Sequence, residues 1–355
     1  MTLDDDAAIM AYVRLALREA VGGHLFDPNV NLVDFGLPEH EGVIAEDELA
    51  IRVHVNRKLP STRLEAAGTR LVPSRIRGFR TDVLEGTYRP QPWWTGTGVP
   101  APPRSGLRAG RVDPLRGGIS ISDEGHVSYG TLGGKVIDRS TGAEMILSNW
   151  HVLVADWAAR PGLRTYQPGR LDGGTAAETV AKLARDAMGA NLDAAVATLT
   201  GSRRLINDQL DLGPVTGVHK PRLGMSVVKS GRRTGVTHGR VTGVEGTTSM
   251  PYRRVQRIIR RVITIEPLWG RQVSASGDSG SIWADDGTMQ AVGLHFAGSD
   301  APERALAIDM QYVLAALDVE LDTSRVGGPP KASLWSFATQ PAAGTRLPVG
   351  AGAGV

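Results

Sequence analysis

Residues 276–281 read SGDSGS, and this stretch decides how the rest of the chain is interpreted. A serine between glycines is typical of a tight turn, because glycine tolerates backbone angles that other residues avoid. The same arrangement suits a nucleophile, since a sharp turn points the amides of Gly277 and Ser279 to one side. The choice depends on whether the chain also supplies a base and a group that orients the base.

The composition narrows the class of protein. A chain of 355 residues suffices for one large core and a smaller module. Its 44 glycines and its aromatic fraction of 5% favour short strands joined by turns over a helical bundle. The absence of cysteine excludes disulfides, thiol catalysis and cysteine-bound zinc. A net charge of +3 gives no reason to expect a nucleic-acid partner.

The sequence also bears on location. It opens with MTLDDDAAIM, which lacks the basic start and apolar run of a secretory signal. No stretch approaches the roughly 18 apolar residues of a membrane-spanning helix. We therefore expect a soluble, cytoplasmic protein that does not contact a membrane.

Residues 1–90 are predicted to form a small α/β module. Apolar residues recur at helical spacing over residues 5–21, which predicts a helix. Residues 50–59, AIRVHVNRKL, alternate apolar and polar side chains and predict a half-buried strand. A short helix over residues 61–67 and a strand over residues 77–88 complete the module.

Two segments lack the periodicity of regular structure. Residues 91–118 are rich in proline and glycine and predict a linker extended across the next domain. Within it, Trp93 and Trp94 are expected to anchor the linker by packing. Residues 321–355 are dominated by glycine, proline, alanine and serine, which predicts a disordered tail.

Residues 119–320 consist mainly of predicted strands separated by turns, which indicates a mainly β architecture, either an antiparallel barrel or a sandwich. The predicted strands are GGKVIDRS, GAEMILSN, LDAAVATL, SVVKSG, HGRVTGVEG, RVITIEP, GSIWADDG and MQAVGLHFAG. Residues 176–188 fit either a loop or a short helix. Residues 305–319 place apolar side chains on a helical stripe and predict a C-terminal helix packed on the barrel.

A nucleophilic serine needs a base within hydrogen-bond reach and a group that orients the base. His151, in SNWHVL, follows a predicted strand and suits the base. Asp193 lies in NLDAAVATL at the start of an apolar strand, where an unpaired carboxylate is costly, so a histidine partner is expected. Alternatives for the orienting group are Asp172, Asp186 and Asp208, none of which begins an apolar strand.

In the order SNWHVL, LDAAVA and GDSGS, the chain resembles the trypsin/chymotrypsin-like serine peptidases. The likeness is closest to intracellular bacterial and plant Narrow-Leaf-type members and covers roughly residues 5–320. It extends to YGTLGGKVIDRSTGAEMILSNWHVL, VVKSGRRTGVTHGRV, GDSGSIWADDGTMQAVGLHFAGS and the leading AIRVHVNRKLP and VPSRIRGFRTDVLEG. The resemblance implies a two-barrel trypsin-like protease domain over residues 119–320, with the site in the cleft between the barrels.

The resemblance also implies a role for each motif residue. Ser279 is expected to attack the scissile carbonyl, and His151 to accept and return the proton. Asp193 is expected to orient His151 and stabilise its charged form. The amides of Gly277 and Ser279 are expected to form the oxyanion hole.

The resemblance implies that a salt bridge or hydrogen bond to Asp278 shapes the loop around the serine, and that in secreted trypsins the partner is a freed N-terminus. A long N-terminal module precedes the barrel, so we expect an internal partner rather than a free N-terminus. Lys229 and Arg232, in KSGRRTG, are the candidates.

The segments VSAS and GLHFAG are expected to line the primary substrate pocket, with Ser274, His295 and Phe296 as its predicted residues. Ser274 and His295 fall near positions where glutamyl endopeptidases bind a carboxylate. An acidic or small polar residue before the cut is therefore expected.

The sequence thus predicts a serine endopeptidase without metal or cofactor that acts on proteins or peptides. Homo-oligomerisation or a regulatory partner is expected through the N-terminal module. The alternative is a catalytically silent protease fold that binds peptides or scaffolds an assembly. The arginine-rich run RRVQRIIRRV, residues 253–262, fits either a solvated strand face or a docking surface for an acidic partner.

Overall fold

The structure, a computed structural model, describes residues 3–90, 93–94, 106–268 and 270–324. Much of the predicted linker and nearly all of the predicted tail lie outside these residues. The side chains of Trp93 and Trp94 are also outside the description, so their role as anchors stays a prediction.

The N-terminal module consists of one long helix on a small sheet. Helix α1 (Leu3–His24) confirms the predicted helix. The strands that follow are β1 (Val30–Gly36), β2 (Glu39–His40), β3 (Val43–Ile44), β4 (Ala50–Val55), β5 (Arg75–Ile76), β6 (Phe79–Glu85) and β7 (Arg89–Pro90). Strands β4 and β6 match the two predicted strands in position, and two 3₁₀ turns, Ser61–Arg63 and Glu65–Ala67, replace the predicted short helix. The half-buried character predicted for β4 is wrong, because its polar Arg52 and His54 are buried against Asp34. Strand β1 was not predicted.

The first barrel contains the strands that carry the histidine and aspartate motifs. Its elements are β8 (Trp93–Trp94), β9 (Leu115–Gly117), β10 (Ser120–Asp123), β11 (Ser128–Thr131), β12 (Gly134–Asp138), β13 (Glu144–Ser148), α2 (Trp150–Leu153), β14 (Arg164–Tyr166), β15 (Thr179–Asp186), β16 (Ala195–Leu199) and β17 (Leu205–Gln209). The strand order is β12-β13-β16-β15-β14-β10-β11-β8, and β9 and β17 form a separate parallel pair.

The loop or short helix predicted for residues 176–188 is wrong. A 3₁₀ turn at Ala176–Glu178 leads into strand β15, which pairs with β14 on one side and β16 on the other. Because β15 pairs along both edges, its backbone forms more hydrogen bonds than a short exposed helix would. This pairing outweighs the weak helical or loop propensity of the segment.

The second barrel carries the serine loop. Its strands are β18 (Gly217–Val218), β19 (Ser226–Gly231), β20 (Gly235–Tyr252), β21 (Val255–Pro267), β22 (Ile282–Asp285), β23 (Gln290–Asp300) and β24 (Glu303–Asp309). Their order is β19-β22-β23-β24-β21-β20, and pairing of β19 with β20 closes the barrel.

The helix predicted for residues 305–319 is wrong in its first third. Residues 305–308 belong to β24, where they are buried and pair with both β21 and β23. Helix α3 (Met310–Ala316) begins only after Asp309, whose carboxylate accepts a hydrogen bond from the amide of Gln311 at 3.0 Å. Strand β25 (Val319–Leu321) then returns to β12 in the first barrel. A short apolar run fits strand and helix equally well, so the sequence did not show where the chain changes from one to the other.

The module and the second barrel share one sheet. Strand β1 pairs with β20 on one side and with β4 on the other, and β4 pairs in parallel with β6. The predicted mainly β fold with two barrels, an N-terminal α/β module and a C-terminal helix is confirmed. The domain boundaries at residues 90, 118 and 320 stay predictions.

Two further features of the described residues bear on the predictions. None of their helices combines the length and apolar character that crossing a bilayer requires. In the arginine-rich run, Arg261 lies 2.7 Å from Glu245 and stacks on Tyr312, and Arg257 stacks on Trp157. A role of this run in docking stays a prediction.

Candidate functional site

Ser279 lies in a turn that precedes β22, and two glycines allow the turn. Gly277 and Gly280 have positive φ angles of 108° and 97°. A Cβ atom at Gly277 would lie 2.2 Å from Cε2 of Tyr129, so a larger residue would collide with this ring. The turn therefore depends on glycine both for its backbone angles and for close packing on β11.

Strand β11 holds the carbonyl groups of this turn. The Thr131 hydroxyl donates to the carbonyl of Gly277 at 2.9 Å, and the Thr131 amide donates to the carbonyl of Ser279 at 2.7 Å. Among the described residues, the amides of Gly277 and Ser279 find no hydrogen-bond acceptor. A turn fixed through its carbonyls thus leaves two donors available to an external oxygen.

His151 and Asp193 lie together, as the predicted base and orienting group require. His151 is in α2, which begins two residues after β13 ends, and Asp193 lies two residues before β16, which pairs with β13. The ring Nδ1 of His151 lies 2.5 Å from Oδ2 of Asp193, and the His151 amide donates to Oδ1 at 3.1 Å. Asn149 donates to the Asp193 carbonyl at 2.7 Å. The carboxylate and the backbone carbonyl of Asp193 are thereby both held by the segment that carries His151.

Tyr252 is a third partner of Asp193 that the sequence did not indicate. Its hydroxyl donates to Oδ2 of Asp193 at 2.7 Å. Burial raises the pKa of Tyr252 well above its usual value, and the negative charge of Asp193 raises it further, so the hydroxyl keeps its proton. Tyr252 ends the long strand β20, between residues that carry no catalytic signature, and only the fold brings it to the site.

Ser279 is close to the site but is not hydrogen-bonded to the histidine. Its hydroxyl lies 3.4 Å from the carbonyl of Phe296. Within the part of the chain that the structure describes, the buried Nε2 of His151 has no hydrogen-bond partner. The structure therefore joins His151 to Asp193 and directs the Ser279 hydroxyl to the Phe296 carbonyl on β23.

The alternative aspartates have other partners. Asp172 forms a buried ion pair with Arg232 at 2.5 Å. Asp186 accepts a hydrogen bond from the amide of Met188 at 2.9 Å. Asp208 pairs with Arg116 at 2.9 Å. Each of them has a partner other than His151.

Asp278 has an internal partner. Lys229 lies 2.9 Å from its carboxylate, and both side chains are fully buried, which confirms one of the two candidates. The other candidate, Arg232, is wrong, because its guanidinium is engaged by Asp172.

Several donors besides Lys229 surround the Asp278 carboxylate. The Thr234 hydroxyl donates to it at 2.6 Å, and the amides of Arg233 and Ala275 donate at 2.8 Å and 3.1 Å. Burial alone would raise the pKa of Asp278, but Lys229 and these donors outweigh it and hold the pKa at about 2. The carboxylate is therefore charged at neutral pH and ties the serine loop to β19 and the turn after it.

The three predicted pocket residues are all buried. The carbonyl of Phe296 faces the Ser279 hydroxyl, and Ser274 lies on the segment that enters the serine turn. His295 lies on β23 with its Nδ1 accepting a hydrogen bond from Trp283 Nε1 at 3.4 Å. Burial, aided by the charge of Lys229, lowers the pKa of His295 to about 3, so the ring is neutral near pH 7.

The comparisons with known proteins give likeness only to solved structures. No protein-family model matches the chain, and no curated protein matches it. A chymotrypsin of Cellulomonas bogoriensis is 20% identical, with a TM-score of 0.44 over 59% of this chain and 99% of that one. A glutamic acid specific serine protease is 20% identical, with a TM-score of 0.45 over 58% and 100% of the two chains. Protease A of Thermobifida fusca is 16% identical, with a TM-score of 0.45 over 58% and 97%. The description of the site therefore rests on the contacts within this chain and not on these similarities.

Proposed function

We propose that the protein is a serine endopeptidase that uses Ser279, His151 and Asp193. One observation carries the proposal: Asp193 fixes His151 through Nδ1 at 2.5 Å and leaves the buried Nε2 uncommitted among the described residues. An imidazole held in this way presents one basic nitrogen in a defined direction, which is what a general base requires.

In the proposed reaction, rotation of the Ser279 side chain moves its hydroxyl from Phe296 to Nε2 of His151. The hydroxyl oxygen attacks the scissile carbonyl and its proton passes to Nε2. The amides of Gly277 and Ser279 stabilise the oxyanion. His151 then protonates the leaving amine, and water releases the acyl group by the same steps in reverse order.

The preferred residue before the cut is proposed to be acidic or small and polar. Trp283 donates to Nδ1 of His295, so the proton of the neutral ring is on Nε2. The neutral His295 ring, with the Ser274 hydroxyl on the adjoining segment, suits a substrate side chain that carries a carboxylate or a hydroxyl. Cleavage mainly after arginine, leucine or phenylalanine would contradict this preference.

The test compares the wild-type protein with Ser279→Ala on a peptide library derived from a proteome. We expect cleavage by the wild type, none by the variant, and the same thermal unfolding for both. A fluorophosphonate probe should label only the wild type. Persistent cleavage by Ser279→Ala would exclude Ser279 as the nucleophile, and a folded wild type that neither cleaves nor labels would favour a peptide-binding scaffold instead.

Assembly and location complete the proposal. We propose homo-oligomerisation or a regulatory contact through residues 1–90, and a cytoplasmic location. The mass of the full chain in solution tests the first of these.

A further inference from the structure

Two short strands, the last of the module and the first of the first barrel, pair with strand edges on either side of Ser279. Strand β7 runs antiparallel to β23, with Pro90 opposite Ala297 and Arg89 opposite Gly298. Strand β8 runs antiparallel to β11, with residue 93 opposite Tyr129 and residue 94 opposite Ser128. We call β7 and β8 together the strap.

The two strand edges that the strap covers flank Ser279. Ala297 directly follows Phe296, whose carbonyl is 3.4 Å from the Ser279 hydroxyl. On the other side, β11 ends in Thr131, which donates to the Ser279 carbonyl at 2.7 Å. The strap thus occupies one edge on each side of the proposed nucleophile.

The order and direction of the two pairings fit one continuous peptide. Only two residues separate β7 from β8 along the chain, so the three steps from residue 90 to residue 93 span at most about 11 Å. Both pairings are antiparallel. An extended peptide bound beside Ser279 would pair with the same backbone groups of these edges that the strap now uses, since strand addition is a common way to bind peptides.

We infer that the strap is an intramolecular competitor of the substrate, which keeps the cleft occupied until a peptide displaces it. This inference rests on the proposed function, because it identifies the cleft beside Ser279 as the place where peptides bind.

Contacts outside the cleft hold the chain on both sides of the strap. On one side, the buried Tyr88 hydroxyl lies 2.8 Å from Nδ1 of His54. On the other, Arg108 donates to the Ser230 hydroxyl at 2.7 Å and to the Asp211 carboxylate at 2.8 Å. The strap therefore remains tethered when it leaves the cleft, and it can return without a second molecule.

The pairing itself is short. Each of β7 and β8 has two residues, so few backbone hydrogen bonds hold the strap, and local opening requires much less free energy than unfolding. Because substrate must displace the strap, the KM of the wild type should be higher than that of a variant with a weakened strap. The kcat of the two proteins should be equal, as expected for a competitor that occupies only the free protein.

The first experiment weakens the pairing with Arg89→Gly/Pro90→Gly. The matched control is Thr62→Gly/Arg63→Gly, which makes the same kind of change in an exposed turn of the module. We expect the strap variant to have a KM about tenfold lower than the wild type, because an intramolecular competitor acts at high effective concentration. A KM equal to that of the control would overturn the inference.

The second experiment fixes the strap by a disulfide. The chain has no cysteine, and the Cα atoms of directly opposed antiparallel residues lie about 4.5–5.5 Å apart, within disulfide range. In Pro90→Cys/Ala297→Cys, oxidation should reduce fluorophosphonate labelling at least about tenfold and reductant should restore it. Each sample is its own control, so an effect of the substitutions on folding cancels. Equal labelling in both states would contradict the inference.

A third measurement does not depend on catalysis. A fluorescent synthetic peptide with the sequence of residues 86–97 should bind the Arg89→Gly/Pro90→Gly variant about tenfold more tightly than the wild type. If this difference is found and no variant cleaves or labels, the proposed function fails and the strap stands. If the protein labels but the peptide binds both forms equally, the strap fails and the proposed function stands.

Discussion

At the scale of single residues, the serine loop depends on a buried charge pair. Asp278 is adjacent to the proposed nucleophile, and Lys229 reaches it from β19 with no exposure to solvent. A buried pair of this kind adds little net stability over an apolar substitute, but loss of one partner leaves an uncompensated charge. The pair therefore makes the conformation of the loop sensitive to either residue.

Removal of the cation alone should destabilise the protein strongly. We expect Lys229→Met to lower the free energy of unfolding by about 3–5 kcal/mol, because Asp278 would be left buried without a countercharge. Urea unfolding followed by circular dichroism measures the change. The double variant Lys229→Met/Asp278→Asn should regain part of the loss, and a single variant as stable as the wild type would contradict this account.

Tyr252 should contribute to turnover through Asp193. A hydrogen bond to a charged group contributes about 1.5–3 kcal/mol, so Tyr252→Phe should lower kcat/KM about 10–100-fold. Steady-state kinetics on a peptide substrate tests this. Tyr12→Phe, which removes an exposed hydroxyl bonded to the Arg77 carbonyl in the module, is the control and should leave kcat/KM unchanged. Equal kinetics for the two variants would exclude a role for Tyr252.

Local motifs made part of the site visible in the sequence. SNWHVL and NLDAAVATL contain His151 and Asp193, which the structure joins, and KSGRRTG contains Lys229, the partner of Asp278. Tyr252 could not be found in this way, because it is 59 residues from Asp193 and has no motif around it. The strap could not be predicted either, because the two strand edges with which it pairs belong to different barrels.

At the scale of elements, the helix and strands of the module differ in how readily the sequence shows them. Helix α1 and strand β4 have the expected apolar periods. Strand β1, VNLVDFG, is buried at all seven positions because β4 and β20 pair with its edges and other layers cover its faces. Its apolar Leu32 and Val33 are adjacent, which interrupts the alternation of apolar and polar residues, so periodicity did not predict it.

The packing of α1 gives a matched pair of substitutions. Leu17 is 5% exposed and Leu15 is 39% exposed on the same helix. Leu17→Ala should lower the free energy of unfolding by about 2–5 kcal/mol, because it leaves a cavity against the sheet. Leu15→Ala should change it by less than about 0.5 kcal/mol. Thermal and urea unfolding of both variants compares them, and similar losses would show that α1 does not pack as described.

At the scale of the whole molecule, buried acid–base pairs join different parts of the fold. Within the module's sheet, Asp34 pairs with Arg52 at 2.5 Å. Asp172 of the first barrel reaches Arg232 of the second, also at 2.5 Å. Burial opposes ionisation of Asp34, but the charge of Arg52 and contact with His54 lower its pKa below the usual value.

These acids should make stability depend on pH in the acid range. The pKa values of Asp34 and Asp278 are lower in the folded than in the unfolded protein. The unfolded chain therefore binds more protons as the pH falls, and the stabilisation present above about pH 4 is lost as the pH approaches 2. Asp278 should contribute about 2 kcal/mol of this loss.

Urea midpoints measured from pH 6 to pH 2 test this dependence. The wild type should lose stability steeply below about pH 4. Asp278→Asn has no proton to gain at this position, so its curve should be shallower. Parallel curves for the two proteins would show that Asp278 does not titrate with the shift described.

The pairing of β1 with β20 has a consequence for synthesis. Leu32 lies opposite Thr248, which is 216 residues later in the chain. At ribosomal rates of about 5–20 residues per second, the partner of β1 emerges roughly 10–40 s after β1 itself. During that interval the edge of β1 has no partner from β20, and exposed edges of this kind promote aggregation. The nascent chain is thus expected to need protection by a chaperone until the second barrel is complete.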